Sequence, residues 1–160
     1  MTNIFSKIKT VINDPGVVIW RMQEWIDRKT LQNLHSKSKG HLEKEGVLSF
    51  IKKGDKQEFG PSYLKLSNLY KLVQTRKPEV ILEFGVGFST IVMAAALKKN
   101  YEKYKHLGHL YTVDAEQHWL SNTESKLPSE LKSYVTFHCS PVEIYNLNEQ
   151  LCSLYETLPN

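Results

Sequence analysis

The sequence predicts an α/β fold, a parallel sheet covered by helices, and three observations predict it. From Pro78 onward, short apolar runs alternate with helical stretches: "VILEF", "STIVMAAALKKN", "HLYTV", "EQHWLSNTESKL", "YVTFH" and "VEIYNLNEQLCSLYETL", in the order strand, helix, strand, helix, strand, helix. At the first strand–helix junction Gly85 and Gly87 flank a single valine, which suits a tight turn. A chain of 160 residues, 41% of them hydrophobic, can build one sizeable core.

The elements divide the chain into an N-terminal helical extension, residues 1–77, and a sheet-bearing part, residues 78–160. In "VVIWRMQEWIDRKTLQNL", Val18, Met22, Trp25, Ile26, Leu31 and Leu34 recur at helical spacing after a break at Pro15-Gly16. "HSKSKGHLEKEG" is polar, a loop or an exposed helix. "GPSYLKLSNLYKLVQTRKP" carries Leu64, Leu66, Leu69, Tyr70, Leu72 and Val73 on a helix that ends near Pro78. "VILEF" reads as a buried strand. The helix after it is capped by Ser89, with Lys98 and Lys99 at its far end, where the helix dipole prefers cations.

Composition narrows the function classes. The net charge of +4 permits an anionic partner without demanding one. Cys139 and Cys152 form neither a CxxC pair nor a metal spacing, and read as thiols of a reducing cytoplasm. The longest apolar run, residues 91–97, is far short of a membrane span, and the first residues lack the apolar core of a signal peptide. His106 and His109 make an HxxH in a Lys- and Tyr-rich loop with no third ligand, so no metal is expected. "KYKH" and "SKSKGHLEK" lack a groove-reading element and argue for a solvated face rather than nucleic acid. Trp20, Trp25 and Trp119 read as core or helix-seam residues.

The glycines have a chemical reading. Bare backbone at Gly85 and Gly87 would let a ligand lie against the main chain, and the free amides of the following helix favour an anionic group. Glu83 stands in an otherwise apolar strand, where a carboxylate needs donors nearby. It either caps its own loop or meets a ligand. Asp114 closes the second strand, placed to accept bonds from two ribose hydroxyls or to cap the helix beginning near Glu116. Ligands of open α/β sheets bind at this carboxyl edge, so a nucleoside-bearing cofactor is expected. The dehydrogenase fingerprint would need glycine where Thr90 stands, and no phosphate-loop G-K-[ST] follows.

What remains, E-x-G-x-G-x-S-T followed by an acid ending the second strand, resembles the class I S-adenosylmethionine-dependent methyltransferases. "ILEFGVGFST" is similar to their first motif, "YTVDAEQHWL" to their second and "VTFHCSPVE" to their third, over residues 78 to about 145. Ser89 stands at the usual third glycine, "NYEKYKHLGH" is inserted after the helix, and Pro141 lies near the place of the acid that often meets the adenine amine.

The resemblance implies a Rossmann-like sheet and S-adenosyl-L-methionine as cofactor. Gly85 and Gly87 would approach its methionine moiety, and Glu83 would organise the loop or accept from its amine. Phe88 and Ser89 would present amides to its carboxylate. Asp114 would hold the ribose, Ala115 and Glu116 would lie beside the adenine, and Ser140 and Val142 would flank its edge. "FGPSY", with Phe59, Gly60 and Tyr63, is a candidate lid. The family's acidic motif after the fourth strand is missing. The expectation is therefore a truncated sheet, strand order 3-2-1, holding the cofactor half of a methyltransferase. Its methyl acceptor and catalytic residues are unknown, and the exposed first strand would favour self-association. The alternative is a non-catalytic nucleotide- or partner-binding α/β domain.

Overall fold

The computed structural model describes residues 15–51 and 62–159, with side chains from residue 22 onward. Helix α1 (Pro15–Lys44) is followed by a 3-10 turn (Val47–Phe50), helix α2 (Tyr63–Arg76), strand β1 (Val80–Phe84), helix α3 (Phe88–Tyr104), strand β2 (His109–Asp114) and helix α4 (Gln117–Lys126). A second 3-10 turn (Ser129–Tyr134) leads into β3 (Val135–Cys139), then β4 (Val142–Leu147) and β5 (Gln150–Tyr155). Phe59, Gly60 and the side chain of Trp20 lie outside the described residues. No helix among the described residues is long and apolar enough to cross a membrane.

Strands β1, β2 and β3 form a parallel sheet in which β2 is central and β1 and β3 are edges. Crossovers between parallel strands are right-handed as a rule, and two that step the same way across a sheet put their helices, here α3 and α4, on one face. The register gives that face Ile81, Glu83, Leu110, Thr112, Val135 and Phe137, and the other face Val80, Leu82, Phe84, His109, Tyr111, Val113, Thr136 and His138. Leu110 and Thr112 are fully buried beneath the helices.

The core is centred on α3, whose residues Ile91 to Leu97 are all buried. The helix packs on α2 through Leu66, Tyr70 and Val73 and reaches Leu42 and Val47, so the buried cluster draws on both sides of Pro78. Inside it, Asn100 donates to the Val73 carbonyl at 3.0 Å. Gly108, at the entry to β2, lies so close to Pro78 that an added Cβ would stand 2.4 Å from its carbonyl oxygen.

Several expectations are corrected. "VEIYNLNEQLCSLYETL" is an antiparallel hairpin, β4–β5, and not a helix. Its apolar residues fit both periods over so short a run. The arbiter is the turn, where Asn148 and Glu149 take φ of 50° and 65°, the left-handed pair that a two-residue hairpin loop needs. "VILEF" is a strand but not a buried one: Val80, Leu82 and Phe84 are exposed. The apolar stripe of α1 is exposed at Met22, Trp25, Ile26, Leu31 and Leu34, and the helix joins the core only around Leu42. Trp119 is likewise exposed, its ring beside His118. Helix α3 runs on to Tyr104 through the expected insertion, so Lys98 and Lys99 lie within it and Lys103 occupies its last turn.

Candidate functional site

The carboxyl ends of β1 and β2 meet at a polar knot. Gly85 has φ of +86°, a conformation that disfavours any side chain, and its amide donates to the Val113 carbonyl at 2.7 Å. The chain then turns into α3 with Gly87 as N-cap. Ser89 does not cap the helix. Its hydroxyl donates to Glu83 Oε1 at 2.5 Å, and Thr90 donates to Oε2 at 2.6 Å. Thr90 Oγ1 also accepts from the Gly87 amide at 3.1 Å. Glu83 thus ties the end of its own strand to the first turn of the next helix. Burial raises its pKa above the ordinary carboxylate range, and the hydroxyls of Ser89 and Thr90 pull it part of the way back.

Asp114 performs the matching task on β2. Its Oδ2 accepts from the Val86 amide at 3.1 Å and its Oδ1 from the Glu116 amide at 3.0 Å. One carboxylate therefore links the glycine turn to the β2–α4 turn. The N-cap of α4 is Glu116. Each oxygen keeps a second lone pair for a further donor.

Glu83, Gly85, Gly87, Phe88, Ser89, Asp114, Ala115 and Glu116 are thereby gathered around the ends of two adjacent strands. A small cleft opens beside them, lined by Gly87, by Phe88 and Ile91 of α3 and by Asn122 and Thr123 of α4. Ser140 lies across β3, its amide donating to the Asp114 carbonyl at 3.0 Å. It is fully buried, and its hydroxyl accepts from the Thr157 amide at 2.8 Å, so it anchors the end of the hairpin rather than presenting an open edge. Val142 begins β4, exposed, with Tyr155 opposite it. Tyr63 opens α2 against His35, away from this knot.

Three contributors escaped the sequence reading. The Val86 amide is invisible in a sequence. Thr90 carries both a donor and an acceptor task, and its signal was the Ser-Thr pair opening an apolar helix. Tyr155 stacks on Phe84, centroids 5.3 Å apart and planes 12° apart, and no pattern marked it.

The two glycines differ in kind. Gly87 has φ of 166°, extended backbone open to any residue, and a Cβ built there meets nothing within 4 Å. Neither conformation nor packing calls for glycine at that position. No group of three or more His, Cys, Asp or Glu side chains among the described residues could hold a metal ion. Compared with known proteins, the chain matches no family model, no curated protein and no solved structure.

Proposed function

We propose that the carboxyl edge of β1 and β2 binds S-adenosyl-L-methionine and that the chain carries the cofactor-binding site of a methyltransferase. The observation that carries this is Gly87, a bare position that the fold itself does not require, beside a carboxylate with accepting capacity left over. A ligand lying against the main chain explains both. Asp114 would accept from the ribose hydroxyls while holding the glycine turn through Val86. The amides of Phe88 and Ser89, at the positive end of α3, would face the cofactor's carboxylate. Glu83 would act at one remove, holding Ser89 and Thr90 so that those amides stay aimed. When bound, the cofactor supplies a methyl group activated by a sulfonium. The protein's task is then to orient and to exclude water, since in-line transfer depends on geometry more than on acid–base strength.

Isothermal titration of the chain with S-adenosylmethionine and with NAD tests the proposal. Saturable binding of the first alone is expected. Asp114→Ala should weaken it by roughly 1–3 kcal/mol, the size of a lost charge-assisted bond pair. Gly87→Val, which the backbone accommodates, should remove it. Unchanged affinity in both variants would overturn the assignment. The engagement of both Glu83 oxygens within the turn favours a second reading, a closed strand–helix junction in a non-catalytic binding domain, for which neither nucleoside would bind.

The outer edge of β1 has no neighbouring strand among the described residues, and Val80, Leu82 and Phe84 are exposed. An uncovered apolar edge is a template for pairing, and self-association through β1 is part of the proposal. Light scattering coupled to size exclusion should show species larger than one chain, and Leu82→Lys should return the monomer.

A further inference from the structure

Hairpin β4–β5 has little support of its own. All of β4 is exposed, and a two-stranded hairpin by itself is marginal in water. Yet its end is fastened to the carboxyl edge of the sheet with some care. Glu156 donates its amide to the Pro141 carbonyl at 3.0 Å, Thr157 donates to the buried Ser140 hydroxyl, and His138 Nε2 meets Thr157 Oγ1 at 2.9 Å. The residue just before these anchors is Tyr155. Its ring stacks on Phe84, the last residue of β1, and Phe84 pairs with Val113, which is fully buried although it lies on the otherwise open face. Burial raises the Tyr155 phenol above its ordinary pKa, and the negative charge of Asp114 raises it further. Val142, directly opposite on β4, stands on the same hairpin face. An aromatic ring held half-buried against the last residue of β1, next to the strand that ends in Asp114, is a surface for a flat, weakly polar ligand.

We propose that Tyr155 is a ligand-contacting residue of the carboxyl-edge site, forming with Val142 the wall against which a nucleoside held by Asp114 packs, so that ligand binding and hairpin docking stabilise each other. This rests on the nucleoside reading above and adds to it a residue from a distant element. A ligand that touches both the sheet edge and the hairpin stabilises the docked arrangement by mass action.

The test uses the 160-residue chain with S-adenosylmethionine and adenosine as probes. Tyr155→Leu, which keeps apolar cover over Phe84, should weaken both by about tenfold, the scale of one aromatic contact. Tyr155→Phe should bind within about twofold of the native chain, since the ring face is retained. Amide exchange in the hairpin of the unaltered chain should slow when S-adenosylmethionine is added. Binding that depends on Asp114 but is the same in Tyr155→Leu, or hairpin exchange that ligand leaves unchanged, overturns the inference while leaving the nucleoside reading intact. Tighter binding by Tyr155→Leu would mean that the ring fills the ligand's place, and overturns it too. Absence of any binding by the native chain overturns the nucleoside reading and this inference with it.

Discussion

The two faces of the parallel sheet carry similar side chains under very different cover. Under α3, Leu110 and Thr112 are fully buried, and Leu110 belongs to a core that runs from Leu42 to Val135. On the opposite face, Val80 is 64% exposed and Phe84, with Tyr155 stacked on it, 58%, whereas Val113 is fully buried. Apolar content therefore does not decide burial in this chain; the supply of covering helices does. Parallel strands are apolar on both faces because helices usually cover both. Here both crossovers step in one direction, which places both helices on one face.

The sharpest way to break the comparison is to truncate one leucine on each face. Leu110→Ala should cost roughly 2–5 kcal/mol, the range for a buried leucine that leaves a cavity, whereas Leu82→Ala should cost less than about 1 kcal/mol. Equal shifts in urea midpoint would show that the open face is covered in solution.

Gly108→Ala comes next. The added carbon would press on the Pro78 carbonyl oxygen and on Leu97 Cδ2, and the strand entry must move to relieve it. A loss of about 1–3 kcal/mol is expected, as for overpacking elsewhere in a core, read from the same denaturation curves. A neutral result would mean that the β2 entry is loose.

The glycine turn offers a paired measurement. Gly85→Ala forces a side chain into positive φ and should cost roughly 1–2 kcal/mol, while Gly87→Ala should leave stability nearly unchanged. If Gly87→Ala destabilises the protein instead, the position is structural and its bareness says nothing of a ligand.

Glu83 makes the contrast pH-dependent. Its pKa is raised by burial, so the folded state holds the proton more tightly than the unfolded one. Stability from this group is present at low pH and is lost as pH rises from the ordinary glutamate range through the raised folded value. Glu83→Gln should flatten that part of a stability–pH curve. A native curve that rises with pH through this window, relative to Glu83→Gln, would contradict the direction. The smallest effect is expected at the solvent-facing pair Lys98–Glu102, one helical turn apart on α3, where Glu102→Ala should change stability by less than about 0.5 kcal/mol and still less in high salt.

By itself the sequence determined the α/β alternation from Val80 to Cys139, the helix ending before Pro78, and the gathering of Glu83, Gly85, Gly87 and Asp114 at one edge. Those features are local: strand and helix periods, a glycine-bracketed turn, and an acid at a strand end each state themselves within a few residues. Only the tertiary structure decided the rest. Whether Ser89 caps a helix or serves Glu83 depends on a carboxylate six residues away turning back toward it. Whether Val142 begins a helix or a strand depends on Asn148 and Glu149 accepting left-handed backbone so that β5 can pair with β4. Whether the apolar faces of "VILEF" and of α1 are buried depends on partners that no local pattern names, because burial belongs to the contact between elements and not to either element alone.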